Sequence, residues 1–422
     1  MQRDTSILIL GGGTFGLSTA YHLARAGYTK ITVVEQSATV PPEQSAGNDL
    51  NKIIRAEYED PFYADLALEA IEQWREPLFA PYYREVGYLL ATSPAAEEKA
   101  KATLQRSLRS ISQHLAWEGK IRPIEKRSDI SDVAPAFTGA MPWTGYFNSL
   151  AGYTHSADAL TALYSACCAL GVQFELGETI EHLRYEGSRC IGATTKSGKQ
   201  YYATTTVVTL GASVSAVLPS IAPQIKAVGF PLAHIQLSPE EAERLRGLPV
   251  TYARDLGFFF EPDPRTHLLK VCSAGAGYTW FNASKTMSVP PAEPEGSAFI
   301  MDGDEAKMRE LLRQSLPELA DRPLLNKRIC WCADSLDTDF VIDYVPGSEG
   351  LIVVSGDSGH AFKMLPIAGQ WVKKVLEEGR QDVPRWRWKE VEMQGNEGVS
   401  WRVGTRKDLR ELRQQRTAIS KL

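Results

Sequence analysis

Gly11, Gly13 and Gly16 fall in one short loop, and an acid, Glu35, follows 19 residues beyond the last of them. That spacing suits a dinucleotide. Gly11 permits a tight turn, Gly13 lets backbone approach a pyrophosphate, and Gly16 lets a helix lie on a strand. Thr14, Phe15 and Gly16 open that helix, so its unpaired amides and positive dipole end would face the phosphates. Glu35 would accept the ribose hydroxyls. A second group of residues is cationic: Lys52-Ile53-Ile54-Arg55 and Leu268-Leu269-Lys270-Val271 set charges among apolar neighbours, where a charge needs a partner. The six cysteines, Cys330 and Cys332 among them, form no CxxC pair and no zinc spacing, so neither a disulfide framework nor a metal site is indicated. Ser358 and His360 lack the GxSxG spacing of a hydrolase nucleophile.

The elements around these residues read as an interrupted α/β pattern. Ser6 to Leu10 is an apolar run into the glycines, and Leu17, Ala20, Tyr21 and Ala24 then recur at helical spacing until Gly27. Lys30 to Glu35 reads as the second strand. Asp60-Pro61 starts a helix whose apolar face holds Tyr63, Leu66, Ala67, Ala70, Ile71 and Trp74. Gly87 to Thr92 reads as a strand leading into a charged helical stretch to about residue 120. Ser156 to Leu170 reads as a helix, Val172 to Leu176 as a strand, and Thr205 to Gly211 as a buried strand ending in glycine. Longer strands follow, such as Gly257 to Phe260 and His267 to Val271. The expected architecture is a Rossmann-type nucleotide-binding domain (1–85, 145–220 and 321–378) interleaved with an α+β substrate domain (86–144 and 221–320). The latter is built on a mostly antiparallel sheet, and 379–422 forms a charged tail.

Charge and hydropathy exclude other classes. The 46 Lys and Arg against 51 Asp and Glu give a net charge of -5, which argues against nucleic acid as the partner. No apolar run reaches the roughly 18 residues of a membrane span, and the N-terminus reads as a strand rather than a signal peptide. A soluble, intracellular monomer is expected.

Four blocks carry a family resemblance: Ser45 to Lys52, Arg328 to Ser335, Phe340 to Asp343, and Gly356 to Lys363. With the N-terminal glycines, they resemble the fungal fructosyl amino acid oxidases (amadoriases), of the monomeric sarcosine oxidase class of flavoenzymes. The resemblance implies FAD bonded covalently to Cys330, with Cys332 left free. It places Gly359, His360, Phe362 and Lys363 against the pyrimidine edge of the flavin. Arg55 and Lys363 would bind a substrate carboxylate, the arginine in bidentate fashion. Lys270 would stand near the flavin face that meets oxygen, with Lys52 and Asn48 lining the same region.

The chain also departs from the amadoriases. Where those enzymes carry an acid that contacts the amino acid part of the substrate, this chain has Ala274, and their tail arginine has a counterpart near Arg406. Ile53 to Tyr58 resembles the sarcosine, pipecolate and saccharopine oxidases as well. The implied reaction is oxidation of a secondary amine, from an N-substituted or cyclic amino acid, to an imine that hydrolyses or cyclises, with oxygen reduced to hydrogen peroxide and no catalytic base. Alternatives are oxidative deglycation of fructosyl amino acids, a natural-product oxidase acting through an imine, a nicotinamide-dependent dehydrogenase, and a flavin protein without turnover. The final Ser420-Lys421-Leu422 reads as a peroxisomal address with an import receptor as partner.

Overall fold

The computed structural model describes residues 2–390, 402 and 404–413. The terminal Ser420-Lys421-Leu422 lies outside the described residues. Strand Ile7–Leu10 is apolar and buried on both faces, as a central parallel strand should be. It lies in a six-stranded sheet ordered Val341–Tyr344, Leu351–Ser355, Thr205–Val208, Ile7–Leu10, Ile31–Glu35 and Gln173–Leu176. All neighbours run parallel except the edge pair Val341–Tyr344 with Leu351–Ser355.

Two helices are held on this sheet by backbone contact. The helix Thr14–Arg25 begins where Gly11 takes φ +105°, and a Cβ on Gly16 would come within 1.9 Å of the Gly11 carbonyl oxygen. A side chain larger than hydrogen at position 16 would lift the helix off the strand. The helix Ala368–Glu378 crosses just as closely, since a Cβ on Gly369 would lie 2.0 Å from the Ser18 carbonyl oxygen. Ser18 joins the two: its Oγ donates to the Leu365 carbonyl at 2.7 Å and accepts from the Gly369 amide at 2.8 Å.

The second large body is a ten-stranded sheet, antiparallel apart from two pairings, Val250–Ala253 with Tyr88–Thr92 and Tyr278–Thr279 with Lys407–Asp408. Side chains alternate across it. Leu89, Ala91, Ala253, Phe259, Leu269 and Val271 point to one face and join a core with Met308, Leu311 and Leu312 of the helix Asp302–Ser315. Tyr88, Tyr146, Tyr252, Arg254, Phe260 and Lys270 take the intervening positions on the other face. The apolar face anchors the sheet, and the opposite face carries polar chemistry.

Two boundaries expected from the sequence are corrected. Strand Leu325–Ser335, placed above in the nucleotide domain, pairs with Ile225–Gln236 of the ten-stranded sheet. Thr144–Asn148 likewise pairs with Tyr88–Thr92 rather than joining the nucleotide sheet. Both strands lie at the seam, and an apolar alternating run gives no sign of which sheet will accept its hydrogen bonds. Lys52–Arg55 forms a third, small sheet with Ala151–Thr154 and Tyr83–Arg84.

Candidate active site

The glycine loop has the properties a dinucleotide requires. Gly13 is the helix N-cap and brings no side-chain hydrogen bond to the first turn, so no side chain competes there with a phosphate. A Cβ at Gly13 would meet Ser45 Oγ at 3.3 Å, so a side chain there would crowd the loop that follows the second strand. Glu35 ends its strand as expected, and its Oε2 accepts from the Gly12 amide at 2.7 Å while Oε1 accepts from the Ser37 amide at 2.9 Å. Burial raises its pKa against the pull of those amides. Phe15, by contrast, turns its ring edge-on to Phe340 in the core, so what it offers a ligand is backbone.

The four cations singled out in the sequence divide into two groups. The first gathers on Asp49, whose side chain is fully buried. Its Oδ2 lies 2.5 Å from Lys270 Nζ and 2.8 Å from Lys52 Nζ, and Oδ1 lies 3.2 Å from the Arg328 guanidinium. Burial alone would raise the Asp49 carboxyl, but Lys270, Lys52 and Arg328 hold it well below the usual carboxylate range. Lys270 also donates to the Asn51 carbonyl at 2.9 Å, and its ammonium lies 5.1 Å from the Phe260 ring centroid. Cys330 Sγ sits 3.9 Å from Lys52 Nζ. Cys330 and Cys332 share one face of their strand. The neighbouring Cys332 thiol, with Lys52 close by, lowers the Cys330 pKa against burial, and Cys330 and burial raise that of Cys332.

The second group centres on Tyr58. The Arg55 guanidinium lies 5.0 Å and Lys363 Nζ 5.4 Å from the centroid of that ring. Arg55 donates to the Glu57 carbonyl, and Lys363 donates to the His360 carbonyl at 3.2 Å. Burial, and then the charge on Arg55, pushes Lys363 well below its ordinary pKa. Arg55 and Lys363 thus gather beside one buried acid, Glu57, and a bound anion would favour the charged form of Lys363. Lys52 and Arg55, three residues apart in one strand, lie about 10 Å apart along the backbone and project to opposite faces.

Other expected residues are placed differently. Asn48 turns its amide back to the carbonyls of Pro41 and Pro42 at 3.5 and 3.2 Å, so the group that engages Lys52 and Lys270 is its neighbour, Asp49. The His360 ring is wedged in the core, stacked on Phe340 with centroids 4.7 Å apart, bonded to Tyr58 Oη at 3.1 Å and to the Thr338 carbonyl at 2.9 Å. Burial, followed by Lys363, pulls its pKa down to about 3, so it is a neutral spacer beneath the loop. Phe362 stacks against Trp74 with centroids 6.1 Å apart. Gly359 takes φ +72° and gives its amide to Asp357 at 3.0 Å. Arg406 reaches Asp334 at 3.1 Å, but the tail residue that enters the site region is Arg402, buried against Asp334 and 3.2 Å from the Ser358 carbonyl. Ala274 is buried, and its carbonyl accepts from Lys307 Nζ at 3.0 Å. Glu57, Tyr58 and Asp49 fall inside the blocks of resemblance but none was singled out, since they lie outside the strand Lys52–Arg55 and no periodicity marks them.

A dinucleotide loop in one sheet and cations gathered on the polar face of the other fit an oxidoreductase that holds FAD. Residues 6–374 match the FAD dependent oxidoreductase family, and the chain belongs to it. It is 33% identical over 409 residues to the L-saccharopine oxidase of Schizosaccharomyces pombe, a match covering 91% of this chain and 93% of that protein. The crystal structure of the fructosamine oxidase Amadoriase II from Aspergillus fumigatus superposes with a TM-score of 0.89, at 32% identity and over 97% of each chain. Fructosyl peptide oxidase from E. terrenum gives the same TM-score at 31% identity, over 97% of this chain and 98% of that one. The chain is accordingly an FAD-dependent oxidase of the secondary-amine class.

Proposed function

We propose that the protein oxidises an N-substituted or cyclic amino acid at the carbon beside its secondary amine, holding the carboxylate between Arg55 and Lys363. The observation that carries this reading is the convergence of Arg55 and the buried Lys363 on the Tyr58 ring, with the buried acid Glu57 nearby. When bound, FAD supplies the hydride acceptor and passes the electrons to oxygen, giving hydrogen peroxide. Arg55 presents a planar fork to a carboxylate, and Lys363 adds a point charge, so the carboxylate fixes where the reacting carbon lies. Lys270, fixed by Asp49, places a positive charge where oxygen is reduced. The likeness to L-saccharopine oxidase supports a secondary-amine amino acid, and the absence of an acid at Ala274 argues against a sugar amine as the preferred substrate. Oxidative deglycation is the second reading, favoured by the match to the fructosamine oxidase.

A peroxide-coupled screen with sarcosine, pipecolate, saccharopine, fructosyl-valine and fructosyl-lysine separates the two. Higher kcat/KM for the amino acids without a sugar supports the first reading, and preference for the fructosyl compounds sinks it.

Covalent attachment of FAD is proposed at Cys330, on the strength of its lowered pKa beside Lys52 and of its place in the resemblance. Mass spectrometry of denatured holoenzyme is expected to show one added FAD on a peptide containing Cys330. Cys330→Ala should abolish the adduct and Cys332→Ala should keep it. An adduct that survives in Cys330→Ala would refute the assignment.

Delivery to peroxisomes is proposed from Ser420-Lys421-Leu422. A fluorescent protein fused upstream of the chain should collect in peroxisomes and become cytosolic when those three residues are deleted. Cytosolic signal from the intact fusion contradicts the proposal.

A further inference from the structure

Arg254 is 5% exposed and pairs with no carboxylate among the described residues. Its guanidinium donates to Ser107 Oγ at 3.3 Å, and its Nε is buried without a hydrogen-bond partner. An isolated buried guanidinium is costly unless something anionic meets it. Its place in the sheet shows where such an anion would lie. Arg254 follows strand Val250–Ala253, two positions beyond Tyr252, and so shares the polar face with Tyr88, Tyr146 and Lys270. Its amide bonds to the Ala91 carbonyl, which sets it at the Thr92 end of the neighbouring strand, whereas Val250 is paired with Tyr88.

At the Tyr88 end, Asn148 donates to Glu57 Oε1 at 2.6 Å, which marks the carboxylate site built by Arg55 and Lys363. The two ends are separated by four strand residues, about 13 Å between backbone levels. Other orphaned polar atoms accompany them: Glu57 Oε2 and Tyr146 Oη are also buried without partners. The charges of Arg55 and Arg254 both act on the same phenols, Tyr88, Tyr146 and Tyr252. The helix Glu98–Ser112 reaches this face, with Ser107 turned to Arg254. A polar sheet face with a cation at each end and unpaired acceptors and donors between suits a ligand charged at both ends.

We propose that Arg254 is a second anion subsite, which takes the distal carboxylate of a substrate carrying acids on both arms of its amine. The proposal rests on the reading of Arg55 and Lys363 as the first carboxylate site. It names the substrate class more narrowly: an N-(carboxyalkyl) amino acid with a flexible chain between its acids, rather than a small N-methyl or cyclic monoacid.

Kinetics of the holoenzyme with saccharopine, acidic on both arms, and pipecolate, with one carboxylate, test it. Wild type should favour the diacid, and Arg254→Met should lower the ratio of diacid to monoacid kcat/KM by about tenfold to a hundredfold, mostly through KM. Arg254→Lys should give an intermediate ratio. A ratio unchanged in both variants overturns the proposal while leaving the amine-oxidase reading intact. A titration followed by the flavin absorbance uses thioether analogues, in which sulfur replaces the amine, and needs no turnover. If neither amine is oxidised, the first reading fails and this titration still decides. Tighter binding of the thioether diacid than of the monoacid, lost in Arg254→Met, supports a second anion site. Equal binding of the two, or a diacid affinity indifferent to Arg254, means that Arg254 takes no anion and overturns it.

Discussion

Lys270→Met is expected to slow the reaction of the reduced holoenzyme with oxygen by about 100- to 1000-fold, while anaerobic reduction by substrate changes little. Lys270 is 2% exposed, held by Asp49 and the Asn51 carbonyl, and backed by the Phe260 ring. A charge fixed in this way needs no reorganisation when negative charge develops beside it, and methionine keeps the stem while removing the charge. Stopped-flow measurement of the two half-reactions separates the effects. Equal losses in both, or an unaltered oxygen reaction, would show that Lys270 is structural.

The second large effect is on stability. Asp49→Ala removes the one carboxylate that Lys52, Lys270 and Arg328 share and leaves the buried Lys270 ammonium beside the half-buried ammonium of Lys52. Breaking a buried pair in this way costs about 3–5 kcal/mol, a large share of the stability of a domain. Denaturant unfolding of the variant should show this loss, and Asp49→Asn should lose less, because the amide can still accept one hydrogen bond. The pH dependence gives a second readout. Asp49 has a folded pKa below its unfolded value, so its contribution is complete above the ordinary aspartate range, about 3.9, and fades as pH falls through the depressed value. Asp49→Asn should therefore flatten the acid limb of the stability curve. An acid limb identical to that of wild type would show that the carboxylate is not the network's counter-charge.

Much of the nucleotide half was legible because its signals are local. Ile7 to Glu35 contains strand, turn, helix and second strand within one stretch, where Gly11 and Gly27 are required by a dihedral angle and Gly16 by a contact. The active-site cations were visible for a similar reason, since Lys52, Arg55 and Lys270 interrupt apolar runs. Their grouping was not visible. Asp49 meets Lys270 and Arg328 from elements more than 200 residues away, and a single acid in a polar loop carries no periodicity to announce it. Arg254 could have been noticed by alternation: it continues the series Val250, Tyr252 on the face opposite Thr251 and Ala253, where a charge must either be paired or await a ligand. The seam strands Thr144–Asn148 and Leu325–Ser335 were misassigned because sheet membership is a long-range choice, made by partners that a local window does not contain.

The order of the six-stranded sheet has a consequence for biosynthesis. Its strands come from both ends and the middle of the chain, and the glycine helix is seated by Gly369 and Leu365. A ribosome delivers the nucleotide loop first and the residues that brace it almost last. Until the chain has emerged as far as the helix Ala368–Glu378, the nascent protein has a phosphate loop without its floor. Cofactor capture must then be a late event in maturation, and premature termination anywhere before that helix should yield a colourless, protease-sensitive product rather than a partial holoenzyme.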